Sequence, residues 1–128
     1  MEKLAVFAAL LLLISCGGNS IENKDTGTKK ANPANLAKGE QLFTVNCTQC
    51  HLAKKPFVGP ALAGVESRWK NKGLLYAFVR NSAAVIKQDE YAATLYKQWN
   101  QSPMLPFPDL TDDDIQAILD YCNSPAAY

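Results

Sequence analysis

The sequence predicts an all-α domain of about four to five short helices, and three observations carry that prediction. After Thr111, the residues Ile115, Ile118, Leu119 and Cys122 fall at i, i+3, i+4 and i+7, one stripe of a helix. No run of Val, Ile and aromatic residues alternates as a strand does, and no internal repeat is present. Two segments rich in proline, one with glycines, at 54–64 and 102–108, divide what remains into helical lengths rather than one long rod.

Residues 1–15 read as a targeting segment. Lys3 precedes an apolar run from Leu4 to Ile14 that is too short to span a bilayer but suits the core of a signal peptide. The run ends Leu13-Ile14-Ser15-Cys16, which resembles the lipobox of bacterial lipoproteins. That resemblance implies cleavage before Cys16 and acylation there, and several acyl chains together anchor firmly. An ordinary signal peptide with an incidental cysteine is the other reading. Residues 16–33, with Gly, Asn, Ser, Thr, Lys and Asp and no aromatic residue, read as a flexible tether. Its r.m.s. reach is roughly 20–25 Å. A single domain then occupies 34–128.

Within the domain, a first helix is expected over 35–46, with Leu36, Gly39, Leu42, Phe43 and Val45 giving a rough apolar face. Lys54 to Gly64 contains Pro56, Gly59, Pro60 and Gly64 and is expected as loop. Leu74 to Arg80 has a short helical pattern. Asp89 to Trp99 carries Tyr91, Leu95 and Trp99 at helical spacing. Ser102 to Pro108 contains three prolines and cannot be regular helix. In the last helix Thr111 is a good N-cap, and Asp112, Asp113 and Asp114 suit the positive first turn better than they suit a metal. The formal charge of +1 gives no case for nucleic acid.

Cys47-Thr48-Gln49-Cys50-His51 is the most informative stretch. It spells Cys-x-x-Cys-His, the attachment signature of a c-type haem. Cysteines at i and i+3 of a helical turn share a face, so both thiols reach one porphyrin and can add to its vinyl groups. The next residue, His51, can ligate iron, and it is the one histidine in the chain. The competing readings of Cys-x-x-Cys are a thioredoxin-like redox pair, a zinc site and a structural disulfide. The first wants a strand–helix setting within an α/β sheet, and the second wants four ligands.

The chain at this point resembles a small class I cytochrome c, over about residues 35–123. Gly39 and Phe43 stand ahead of Cys47 as in the family's first helix, where the glycine allows close crossing with the last helix. Gly59-Pro60-Ala61-Leu62 matches the family's Gly-Pro-x-Leu loop, and the resemblance implies that the Pro60 carbonyl accepts from the Nδ1–H of His51. Met104 lies in a proline-rich loop just before the terminal helix, where the family keeps its sixth ligand. The resemblance therefore implies one covalent haem c on Cys47 and Cys50, with His51 and Met104 as axial ligands. The bland reading of Met104 is a gap-filling core methionine.

Other residues are open to two readings. Arg68 and Trp69 offer guanidinium and indole N–H donors to a haem propionate, or else are surface charge and core packing. Phe57, Trp99 and Phe107 are pocket wall or plain core. Tyr121 resembles the aromatic that packs on the first helix. Cys122 sits on the apolar stripe of the last helix as a buried, inert thiol, or else is a redox-active or dimer-forming one.

The expected function is that of a non-enzymatic electron carrier. It would be exported, face the periplasm and be tethered to a bacterial membrane, and it would meet redox partners as a monomer through a transient interface. The two alternatives are a five-coordinate haem domain for small-ligand binding or catalysis, and a fixed subunit of a larger redox complex.

Overall fold

The structure is a computed structural model that describes residues 32–128. The expected signal peptide, Cys16 and the tether as far as residue 31 lie outside the described residues. The described residues form five α-helices and one short 3-10 turn, with no strand among them.

Helix α1 runs Pro33–Asn46, starting two residues before the expected Asn35. The reason is local: the Asn32 side chain accepts from the Ala34 N–H at 3.0 Å, and Pro33, whose fixed φ suits N1, takes the first helical position. Helix α5 runs Asp112–Asn123 behind a reciprocal capping box. The Asp114 N–H donates to Thr111 Oγ1 at 3.2 Å, and the Thr111 N–H donates to the Asp114 carboxylate at 2.9 Å.

These first and last helices pack directly against each other. Gly39 makes the crossing possible, because a Cβ there would overlap the Ala117 carbonyl and sit 2.9 Å from Tyr121 Cβ. Beside it, the Phe43 and Tyr121 rings tilt against each other with centroids 5.6 Å apart. Lys38 pairs with Asp114 at 2.7 Å on the edge of the same interface.

Between them lie α2 (Lys72–Arg80), α3 (Ser82–Ile86) and α4 (Glu90–Gln98). Each starts on an Asx cap: Asn71 accepts from the Leu74 N–H, Asn81 from Ala84 and Asp89 from Ala92. Asn81 both ends α2 and begins α3, a helix absent from the sequence expectation. The 3-10 turn Val65–Arg68 was likewise not foreseen inside the chain that follows the Gly-Pro loop.

Two apolar clusters share α5 as a spine. On one side Ile115 and Leu119 pack with Val65, Trp69, Leu75 and Phe78. On the other, Ile118, Tyr121 and Cys122 pack with Phe43, Ala53 and Ala127. Cys122 is fully buried, and burial pushes its thiol up to about 12, so it stays protonated and unreactive at neutral pH.

Candidate haem site

Helix α1 ends at Asn46 and the chain turns at once through the attachment motif. The Cys50 and His51 N–H groups both donate to the Cys47 carbonyl, at 3.1 and 2.8 Å, so the motif continues as a helical turn rather than a loop. That turn brings Cys47, Cys50 and His51 to one wall of a cleft. Burial and the neighbouring Cys50 push the Cys47 thiol up to about 11, whereas Cys50 lies exposed at the rim.

His51 is held from two directions. Its Nδ1 lies 2.8 Å from the Pro60 carbonyl oxygen, which can only accept, so Nδ1 carries the proton and Nε2 keeps its lone pair. Gly59 lies flat against the ring: a Cβ there would come within 2.5 Å of Cε1 and 2.9 Å of Nδ1. Burial lowers the His51 pKa, with the Pro60 bond opposing, and so favours the neutral imidazole that a metal requires. The Gly59 N–H in turn donates to the Cys50 carbonyl at 2.8 Å, locking the Gly-Pro loop onto the motif.

Met104 reaches the same cleft from the proline-rich segment after α4. Asn100 and Gln101 adopt left-handed backbone at φ 55° and 54° and reverse the chain, with the Gln101 N–H donating to the Tyr96 carbonyl at 2.9 Å. Beyond them the Ser82 hydroxyl donates to the Met104 carbonyl at 2.7 Å. Leu75, Phe78, Ile115 and Leu119 form the apolar floor. The cleft is open at its mouth and its lining is mostly apolar.

The remaining expectations divide. Trp69 is buried on the cleft wall against Phe78, ring centroids 4.9 Å apart, and its indole N–H has no partner among the described residues. Arg68 turns the other way: it is exposed and donates to the Ala61 carbonyl at 2.6 Å, outside this cleft. The 3-10 turn ends between them, so the neighbours diverge. Trp99 and Phe107 line the cleft. Phe57 is neither wall nor core. Its N–H donates to the Gly59 carbonyl in a tight turn, and that turn leaves the ring 59% exposed. Sequence reasoning missed Ser82, Leu95 and Tyr96. The last two sit at adjacent positions of an expected helix, but for Ser82 no sequence signal was present.

A family model described as Cytochrome c matches residues 36–124. The chain belongs to the cytochrome c family. Among curated proteins, cytochrome c6 of Cyanidium caldarium is 29% identical over 93 residues, 73% of each chain. Among solved structures, a cytochrome c from Rhodothermus marinus superposes with a TM-score of 0.61 at 27% identity, covering 77% of this chain and 84% of that one. An engineered Rhodothermus marinus cytochrome c bound to a carbene intermediate gives a TM-score of 0.59 at 28% identity, covering 77% of this chain and 81% of that one.

A cytochrome c carries a covalently bound c-type haem with iron, and its work is haem-based electron transfer. The residues present fit that group. Two thiols and a neutral imidazole stand on one wall, a thioether is carried by the facing segment, the floor is apolar, and the unpartnered indole N–H of Trp69 is a ready donor for a carboxylate. Among the described residues no three His, Cys, Asp or Glu side chains gather to hold a metal ion by themselves, so the pair Cys47 and Cys50 has no zinc-site partners there.

Proposed function

We propose that this cytochrome c is a single-electron carrier in which Cys47 and Cys50 would hold the haem by thioethers and His51 and Met104 would ligate its iron. One observation carries the reading: His51 and Met104, from distant parts of the chain, line the same apolar cleft as both motif cysteines. When bound, the haem supplies an Fe(III)/Fe(II) couple, and a thioether in place of a second imidazole raises its potential.

The chain's own residues do the rest. Pro60 fixes the His51 tautomer and ring plane, so the ligand does not reorient between oxidation states. Leu75, Phe78, Ile115 and Leu119 keep water from the ring faces, and a dry surround favours the less charged reduced iron. Trp69 Nε1–H, which has no partner among the described residues, would be available to donate to a propionate. Val58 and Leu105, 47% and 65% exposed and both lining the cleft, form an apolar rim for transient docking of redox partners.

The organisation of the whole chain belongs to the same proposal. Residues 1–15 are a signal peptide, Cys16 is lipidated, the tether ending ahead of the Asn32 cap of α1 sets the domain at a membrane facing the periplasm, and the domain works as a monomer. The apolar run Leu4–Ile14 ahead of Cys16 supports this, because covalent haem attachment suits an exported chain. Confinement near the membrane raises the effective concentration of membrane-bound partners.

The test is expression of the full chain with a haem-attachment system. Haem retained on the denatured, delipidated protein, and lost in Cys47→Ser/Cys50→Ser, is the expected result. Incorporation of labelled fatty acid that disappears in Cys16→Ala is expected as well. Haem extracted by acidified solvent from the wild type would contradict the attachment sites.

A further inference from the structure

We propose that Ser82 is the positioning residue that keeps Met104 in the cleft, and so governs how readily another ligand displaces it. This rests on the reading of Met104 as an axial ligand. The segment that carries Met104 is otherwise lightly held. Pro103 and Pro106 have no N–H to give. Ser102, Pro103, Leu105 and Pro106 are exposed, and the turn leading in contains the left-handed pair Asn100 and Gln101, of which Gln101 is a poor host for that backbone. Among the described residues, the bond from Ser82 Oγ to the Met104 carbonyl is the one hydrogen bond made to residues 103–106.

Ser82 itself is well anchored. It is 2% exposed at the first position of α3, immediately after Asn81, whose side chain caps that helix. Its hydroxyl therefore sits on a rigid corner and reaches across 22 residues of sequence to a segment with little structure of its own. The next fixed point is the Phe107 N–H, which donates to the Val79 carbonyl at 3.3 Å on the same corner. Removing the hydroxyl frees the Met104 carbonyl and lets the segment between Ser102 and Phe107 move outward as a unit, with the thioether on it.

The experiment titrates the ferric holoprotein with imidazole and reads the methionine-to-iron(III) charge-transfer band. Ser82→Ala is expected to raise the apparent imidazole affinity about tenfold, the effect of losing one buried hydrogen bond. Asp114→Asn, which weakens the N-cap of α5 and removes no bond to Ser82 or to residues 103–106, is expected to leave the affinity at the wild-type value. An equal rise in both variants would mean general destabilisation and would overturn the proposal, as would an unchanged affinity in Ser82→Ala. Because Ser82 is buried, the near-isosteric pair Ser82→Thr and Ser82→Val repeats the comparison at matched volume. Threonine near wild type with valine raised supports the assignment, and equal affinities defeat it. Met104→Ala separates the layers. If it keeps the wild-type band, the ligation reading fails and the role of Ser82 falls with it, whereas loss of the band with no effect at Ser82 defeats the Ser82 role alone.

Discussion

The two sides of the haem cleft are built in opposite ways. On the His51 side, the imidazole follows a helix, its ring rests on Gly59, and its Nδ1 is fixed by Pro60. The Gly-Pro loop is bound back to Cys50, and α1 is locked onto α5 at Gly39. On the Met104 side, the proposed ligand stands on an exposed segment bracketed by prolines, entered through left-handed backbone and tied by Ser82. One half of the site is over-determined and the other is held at few points. For an electron carrier this division is economical: the covalent half keeps the cofactor, and the lighter half need only be stable enough to exclude water and other ligands.

The contrast can be broken most severely at the helix crossing. Gly39→Ala drives a methyl group into the Ala117 carbonyl, which is backbone and cannot turn aside. We expect a loss of about 3 kcal/mol, at the upper end for overpacking, seen as a drop in thermal midpoint on the order of 10 °C or more. The next largest effect should come from Gly59→Ala, whose Cβ would strike the imidazole. It is expected to cost about 2 kcal/mol and to perturb the ferric spectrum as the ring is displaced.

Asp114→Asn is smaller, about 1 kcal/mol for the weakened cap, with little added by the Lys38 pair because that lysine is 46% exposed. Its pH dependence has a definite sign. Lys38 and the two Thr111 hydrogen bonds hold the Asp114 carboxyl well below the usual carboxylate range. The stability it contributes is present above about pH 4 and is lost as pH falls further, so wild type and variant should converge in acid melts. Trp69→Phe is the mildest. The ring stack on Phe78 survives and the buried donor disappears, so stability should change by less than about 1 kcal/mol while the reduction potential shifts through the propionate.

Legibility in the sequence followed the same division. Cys47, Cys50 and His51 fall within five residues, and α5 repeats its apolar residues over about two turns, so local pattern was enough for both. The helix starts were read late at α1 and α2 because Asn32 and Asn71 act through side-chain acceptance two or three residues on, which shifts the boundary ahead of the apolar face. Helix α3 has five residues, too few to repeat an apolar period, and Asn81 could equally have ended a helix as begun one. Arg68 and Trp69 are adjacent in sequence but separated by the end of a 3-10 turn. The Ser82 contact joins residues far apart in sequence through a generic hydroxyl, so only the folded arrangement reveals it.

In the proposed site, one apolar cleft would supply both His51 and Met104 to the iron. The most direct measurement is the near-infrared spectrum of the ferric holoprotein beside that of Met104→Ala. A methionine-to-iron charge-transfer band in the wild type, absent from the variant, is the predicted result. The same band in both proteins, or a wild-type spectrum of five-coordinate iron, would contradict the account.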